Sequence, residues 1–326
     1  MNKISKITIC LNNICDRECE YCYRNSVDKL NYNKPFEFIY WKELVKYLAY
    51  TKNIELDSEV GVCFTGGEPF LSHYTMLEGI SSLRTLEIIK DVKMKFGCIT
   101  NLCDCTTLLD FIRRGYLYKE GVSISWDYYG DVKEEFNIGL LRSTSNLYFN
   151  GDYKDLYIKM SVTDKSIPFL YEGFRLLRDY GFTNLGYYFV NGTDDYKSEE
   201  IREEFRNQLI KIKNDPDNIY LGNYNDIRFN ENTPFCDKMG SLLYIDTAGG
   251  IWQCAFYSDD TKVHGIKNIN EYKLGDIFNG FKKDYTEIKE RPDSEWAERF
   301  CHACSNECRD RIRKMKQIEY DVYCIP

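Results

Sequence analysis

Histidine is scarce in this chain, and long apolar runs are absent. The 326 residues include only three histidines, so catalysis by a histidine acid or base is a poor expectation. No segment approaches the roughly 20 apolar residues of a membrane helix, and the N-terminus lacks the apolar core of a signal peptide. We therefore expect no membrane partner and a cytoplasmic location, where cysteine thiols stay reduced.

Positive charge is also in deficit. Lysine and arginine number 43 against 51 aspartates and glutamates, which gives a net charge of −8, and no polybasic run is present. A nucleic-acid partner is therefore not expected, because such partners are bound by clustered positive charge. Hydrophobic residues make up 43% of the chain, which is enough for a sizeable core.

Cysteine, in contrast, is abundant, with 14 residues, three of them on one short loop. Cys15, Cys19 and Cys22 have the spacing C-x3-C-x2-C. In a reducing compartment such groups are typical of metal ligands rather than disulfides. Three thiolates can ligate three irons of a [4Fe–4S] cluster and leave the fourth iron open to a small molecule, whereas a structural cluster normally has four cysteines. A zinc knuckle is the alternative.

Strand-like and helix-like segments alternate from residue 6 to about residue 192. The predicted strands, which are short and mostly apolar, are 6–11, 60–64, 93–99, 122–126, 156–162 and 185–190. Amphipathic helices between them predict an α/β fold with a parallel sheet and right-handed crossovers, in a partial barrel of about six βα units. A polar stretch and a cysteine-rich β-hairpin pattern follow, so we predict domains at 1–228 and 229–326.

Polar motifs follow three of these strands. Gly66, Gly67 and Glu68 come directly after the second strand, Asn101 follows the third, and Ser125 lies near the end of the fourth. In βα folds, chemistry gathers at the carboxyl ends of the strands. Glycines let the backbone approach a ligand closely, and a buried glutamate can accept a hydrogen bond from an ammonium group. An ordinary strand–helix turn is the alternative for the Gly-Gly pair.

Together, the cysteine loop and the Gly-Gly-Glu-Pro motif resemble the radical S-adenosylmethionine (SAM) superfamily. The resemblance implies that the open iron binds SAM and that an electron from the cluster splits SAM into methionine and a 5′-deoxyadenosyl radical. It also implies SAM contacts from Tyr21, Gly66, Gly67, Glu68, Asn101 and Ser125. Glycine usually follows the asparagine, and the aspartate of the S-x-D strand end, in this family; Leu102 and Tyr128 stand there instead.

Six more cysteines lie in the last third of the chain: Cys236, Cys254, Cys301, Cys304, Cys308 and Cys324. Their order resembles the SPASM or shorter twitch extension of radical SAM enzymes, which implies one or two auxiliary [4Fe–4S] clusters. The last four could bind one cluster beside an incompletely ligated one, or the first two could join two of the later four. The C-x2-C-x3-C run departs from the SPASM spacing, and structural zinc is the rival interpretation.

The resemblance implies hydrogen abstraction from a substrate C–H bond, most often in a ribosomal peptide or protein that is crosslinked, oxidised or epimerised. An aminocyclitol-type dehydrogenase and a non-catalytic iron–sulfur or zinc protein are the alternatives. We expect an external electron donor such as flavodoxin or ferredoxin. Because the chain starts almost at the first strand, we also expect a separate leader-peptide recognition protein or a direct groove. Candidates for the substrate wall are Trp126, Tyr128 and Tyr129.

Overall fold

The computed structural model describes most of the chain. The described residues are 3–22, 36–51, 54–130, 138–139, 141–142, 154, 156–190, 195–217, 219, 221, 242–252, 273–281 and 306–324. Four of the predicted metal ligands lie outside these residues: Cys236, Cys254, Cys301 and Cys304.

The described residues form parallel and antiparallel strands with helices between them. Strands β1 to β10 are Ile4–Cys10, Leu56–Thr65, Lys93–Thr100, Val122–Trp126, Tyr157–Val162, Leu185–Phe189, Leu242–Ile245, Gly250–Trp252, Lys273–Asp276 and Gly280–Phe281. Helices α1 to α7 are Phe38–Tyr50, His73–Leu83, Thr85–Lys90, Cys105–Arg113, Leu170–Asp179, Glu199–Lys213 and Asn306–Cys324. None of these helices is both long and apolar enough to cross a membrane.

Contacts between residues divide the chain into two compact units, and both are discontinuous in sequence. The first joins residues 1–122 to 235–303, and the second joins 123–234 to 304–326. This division differs from the predicted boundary near residue 228. The physical reason is that segments after residue 228 complete both units: β7 pairs with β1, and α7 packs on α6.

The sheet of the first unit has the order β10-β9-β8-β7-β1-β2-β3. The pairs β1–β2 and β2–β3 are parallel, as the βα pattern predicts. The predicted hairpin is also present, with β7 and β8 antiparallel. Beyond what the sequence predicts, β7 pairs in parallel with β1, so the hairpin of the cysteine-rich segment extends the N-terminal sheet.

A buried aspartate stabilises the hairpin turn. Asp246 is fully buried and accepts hydrogen bonds from Gly250 N at 2.6 Å and from the indole Nε1 of Trp252 at 2.6 Å. Gly249 has a φ of +79°, a left-handed conformation that glycine adopts without strain. The Asp-Thr-Ala-Gly-Gly sequence therefore fixes the turn by both side-chain and backbone chemistry.

The second unit contains the parallel strands β4, β5 and β6, with α5, α6 and α7. The predicted α/β class with parallel strands is thus confirmed, and each of the six predicted strands is present. Ile124 on β4 and Ile158 and Met160 on β5 are fully buried. Ser125 and Lys159, which pair across β4 and β5, are half-buried and alternate with them.

The C-terminal helix α7 is anchored on α6. Ile312, Met315 and Ile318 are buried along α7. The Nζ atom of Lys213, at the end of α6, donates a hydrogen bond to the carbonyl oxygen of Val322 at 2.5 Å. The helix therefore belongs to the packed interior of the second unit, which the sequence interpretation does not foresee.

A buried glutamate on α7 gives this packing a dependence on pH. Glu319 is 5% exposed and lies beside the hydroxyl of Tyr187 on β6. Burial raises the pKa of Glu319 to about 7, although the Tyr187 hydroxyl and Lys316 act in the opposite direction. The folded state therefore favours the protonated carboxyl.

We predict that the free energy of unfolding decreases as pH rises from about 4.5 to about 7. The contribution of Glu319 is complete below the unfolded-state pKa and is lost as pH rises through the folded-state pKa; a shift of this size corresponds to about 3 kcal/mol. Glu319→Gln should flatten this dependence in urea unfolding measured between pH 5 and 8. Asp321→Asn, on the same helix, should retain it. A wild-type slope unchanged in Glu319→Gln would contradict the assignment.

Candidate functional site

The carboxyl ends of β1, β2 and β3 lie side by side, because the three strands are parallel neighbours. The loop after β1 carries the three-cysteine motif, the loop after β2 carries Gly66, Gly67 and Glu68, and the loop after β3 carries Asn101. Three motifs that are far apart in sequence are thus brought to one edge of the first unit.

The cysteine loop is held against the Gly-Gly-Glu-Pro segment by backbone hydrogen bonds. Gly67 N donates to Asn12 O at 2.9 Å, and Glu68 N donates to Ile14 O at 2.7 Å. A Cβ atom on Gly67 would lie 2.1 Å from Ile14 O, and one on Gly66 would lie 2.7 Å from Asn12 O. Both glycines are therefore required for the close approach of the two segments, whatever contact they make with a ligand.

Asn12 is a residue that the sequence interpretation misses. It is 1% exposed, and its Nδ2 donates to Glu68 O at 3.0 Å and to Ser72 Oγ at 2.8 Å. Its Oδ1 also accepts a hydrogen bond from Ile14 N at 3.2 Å. The only signal in the sequence is its position two residues after β1, between the strand and Cys15.

Glu68 is a buried carboxylate that joins the ends of β2 and β3. Its Oε1 accepts hydrogen bonds from Phe70 N at 3.0 Å and from Thr100 Oγ1 at 2.9 Å, and its Oε2 accepts one from Asn101 N at 2.7 Å. Burial raises the pKa of Glu68, and these three hydrogen bonds oppose the rise. A carboxylate oxygen can accept two hydrogen bonds, so Oε2 can still accept one from an ammonium group.

Asn101 lies between Glu68 and the cysteine loop. Its Nδ2 lies 2.7 Å from Asp16 Oδ1 and 3.6 Å from Cys15 Sγ. The next residue, Leu102, has a φ of +67°. The chain therefore adopts here the left-handed conformation that the family's glycine would favour, with a buried leucine in that position.

The cysteine loop remains the predicted ligand set of a cluster. Cys15, Cys19 and Cys22 form no disulfide, with Cys15 exposed and the other two half-buried. Arg17 N donates to Cys15 Sγ at 3.4 Å, so this sulfur receives hydrogen bonds from the backbone and from Asn101. Within the described residues, no three His, Cys, Asp or Glu side chains are grouped to hold one metal ion. Cluster thiolates each ligate a different iron and stand farther apart.

The predicted residues of the second unit have different environments. Ser125 is half-buried on β4. Trp126 is fully buried, and Tyr128 stacks on it and donates a hydrogen bond to Glu172 Oε1 at 2.7 Å. Trp126 and Tyr128 are therefore buried in this structure, and their role in a substrate wall stays a prediction. Tyr129 is half-buried.

Two of the C-terminal cysteines lie on one continuous helix. Cys308 is near the start of α7 and Cys324 is its last residue. Sixteen residues of α-helix span about 24 Å along the axis, far more than the few ångström across which the thiolates of one cluster are spread. The backbone of α7 therefore separates positions 308 and 324 by more than this spread, and the arrangement in which the last four cysteines share one cluster stays a prediction.

Comparisons with known proteins agree with this geometry. Residues 7–113 match the family model described as a 4Fe-4S single cluster domain. An uncharacterized protein of Methanocaldococcus jannaschii is 24% identical over 272 residues, which cover 80% of this chain and 88% of that protein.

Solved structures share the fold at low sequence identity. Native anSMEcpe with bound AdoMet has a TM-score of 0.66 and 13% identity, covering 97% of both chains. The same protein with AdoMet and the Cp18Cys peptide also has a TM-score of 0.66 and 13% identity, covering 98% of this chain and 99% of that one. Streptococcus suis SuiB bound to S-adenosylmethionine has a TM-score of 0.50 and 14% identity, covering 90% of this chain and 65% of that chain.

These findings concern the fold and one domain of the protein. The fold is similar to that of anSMEcpe, which was solved with bound AdoMet, and the cysteine loop lies inside the 4Fe–4S family match. The resemblance to the radical SAM superfamily that the motifs predict is thereby confirmed.

We predict that Gly67→Ala lowers the iron content of the reconstituted protein. The new methyl group would collide with Ile14 O, and strain of this kind typically costs about 1–3 kcal/mol or displaces the loop. Gly61→Ala is the matched control, because a Cβ there meets nothing closer than Ser5 O at 3.8 Å. Equal iron content in the two variants, by metal analysis, would show that the loop does not need this approach.

We also predict that Cys324 is not needed for auxiliary iron. In a variant that lacks Cys15, Cys19 and Cys22, Cys324→Ser should leave the remaining iron unchanged, because the end of α7 is fixed on α6. Cys308→Ser in the same background should lower it. Loss of iron in the Cys324 variant, with iron retained in the Cys308 variant, would reverse this assignment.

Proposed function

We propose that this protein is a radical SAM enzyme that abstracts a hydrogen atom from a C–H bond of a peptide substrate. The observation that carries the proposal is the docking of the three-cysteine loop on the Gly-Gly-Glu-Pro segment, with the buried Glu68 carboxylate beside it. This contact supports the proposal, because three candidate iron ligands and a candidate acceptor for an ammonium group lie on neighbouring loops.

Cys15, Cys19 and Cys22 would hold a [4Fe–4S] cluster, and Glu68 Oε2 would accept a hydrogen bond from the amino group of SAM. When bound, these cofactors supply the electron and the carbon radical that the chemistry needs. The protein holds the loop through Gly66, Gly67 and Asn12 and orients the Glu68 carboxylate. Tyr21, Asn101 and Ser125 remain predicted contacts of SAM from the family resemblance.

The proposed peptide substrate rests on the similarity to a protein that was solved with a bound peptide. Over nearly the whole chain, the fold matches that of anSMEcpe in a structure with AdoMet and the Cp18Cys peptide. The hairpin β7–β8 also lies in the C-terminal segment whose cysteine order resembles the SPASM extension. We further propose an auxiliary cluster with ligands drawn from Cys236, Cys254, Cys301, Cys304 and Cys308, and an external donor such as flavodoxin or ferredoxin.

The test is anaerobic reconstitution, followed by addition of SAM, dithionite and the precursor peptide encoded nearest the gene. Wild type should form 5′-deoxyadenosine, and the peptide should lose about two hydrogens, gain a crosslink or be epimerised, as read by mass spectrometry. A Cys15/Cys19/Cys22→Ala variant should do neither. SAM cleavage by this variant would refute the cluster assignment, and turnover of an aminocyclitol with every neighbouring peptide unmodified would refute the substrate class.

A further inference from the structure

Asn101 makes contacts that point to a role different from the SAM contact expected of it. We propose that Asn101 is a positioning residue that orients Cys15 and raises the reduction potential of the cluster on the cysteine loop. This inference rests on the proposed function and adds a tuning group to the same site.

The side-chain amide of Asn101 is directed at the cysteine loop. Asn101 is 8% exposed, and its Nδ2 lies 2.7 Å from Asp16 Oδ1 and 3.6 Å from Cys15 Sγ. An amide nitrogen has two N–H groups, so each acceptor can receive one. Both donors are then used within the protein, and none is left for SAM.

The orientation of the amide is fixed by its other contacts. Its Oδ1 accepts a hydrogen bond from Cys103 N at 3.0 Å. A flipped amide would turn this oxygen toward the carboxylate of Asp16 and its N–H groups toward a backbone N–H, and both contacts would be repulsive. The hydrogen-bond network therefore settles which atom faces Cys15.

The backbone of Asn101 is held at the same time. Its N donates to Glu68 Oε2 at 2.7 Å, and its carbonyl oxygen accepts from Arg17 Nη2 at 2.9 Å. Arg17 and Asp16 belong to the cysteine loop, so Asn101 contacts that loop through both its side chain and its backbone. Glu68 and the cysteine loop are thereby linked through one residue.

An N–H group directed at a ligating sulfur changes the energy of reduction. Reduction adds negative charge to a cluster, and hydrogen bonds to its sulfurs stabilise that charge and raise the potential. The carboxylate of Asp16, with Oδ1 3.9 Å from Cys15 Sγ, has the opposite effect. Removal of the Asn101 amide would leave this carboxylate without one of its donors, beside the cluster.

The experiment measures the reduction potential of the SAM-responsive cluster by EPR-monitored titration. Asn101→Leu keeps the approximate size of the side chain and removes its hydrogen bonds, and we expect a more negative potential. Gln208→Leu is the matched control: Gln208 is a buried amide of the second unit, bonded to Tyr171 N and Pro168 O, and its loss should leave the potential unchanged.

Asn101→Ala serves as a second variant, because it keeps the backbone bonds to Glu68 and Arg17. If both variants fold with native melting temperatures but fail to load iron, the positioning role is supported. An unchanged potential with weaker SAM binding would overturn the inference and return Asn101 to the SAM contacts. A wild-type protein that binds no cluster would instead refute the proposed function, so the two failures are distinguishable.

Discussion

The site depends on the close backbone contact between the cysteine loop and the segment after β2. Two hydrogen bonds, Gly67 N to Asn12 O and Glu68 N to Ile14 O, continue the pairing of β1 with β2 beyond the ends of the strands. This contact is available only because Gly66 and Gly67 have no Cβ. The position of Cys15 is therefore set by the sheet, not by the loop alone.

The same edge buries a carboxylate, which is costly unless its charge is compensated by hydrogen bonds. Glu68 receives three, from Phe70, Thr100 and Asn101. Hydrogen bonds to a charged group typically contribute about 1.5–3 kcal/mol each, and together they can offset much of the desolvation. Because two of the donors lie at the end of β3, the carboxylate also fixes the loop that brings Asn101 to Cys15.

Local patterns predict much of this arrangement, and non-local pairings explain what they miss. Strand β4 is predicted to the residue, since apolar periodicity and turn residues are local signals. The cysteine spacing and the Gly-Gly-Glu-Pro motif place the site. No local signal could show that β7 pairs with β1, because that pairing joins residues more than 230 positions apart. The burial of Trp126 also has no local signal, because it depends on which face of β4 packs against the core. Helix α7 could have been predicted from the sequence, because Ile312, Met315 and Val322 recur at helical spacing.

The interleaving of the two units changes how the C-terminal third is to be understood. An appended domain would leave the core intact when removed. Here a cut at residue 228 would take β7 from the edge of β1 and, with it, the neighbour of the strand that leads into the cysteine loop. It would also remove α7, which packs on α6 and carries the buried Ile312 and Met315. The C-terminal segment is therefore a structural part of the sheet edge that carries the cysteines, whatever its own cysteines bind.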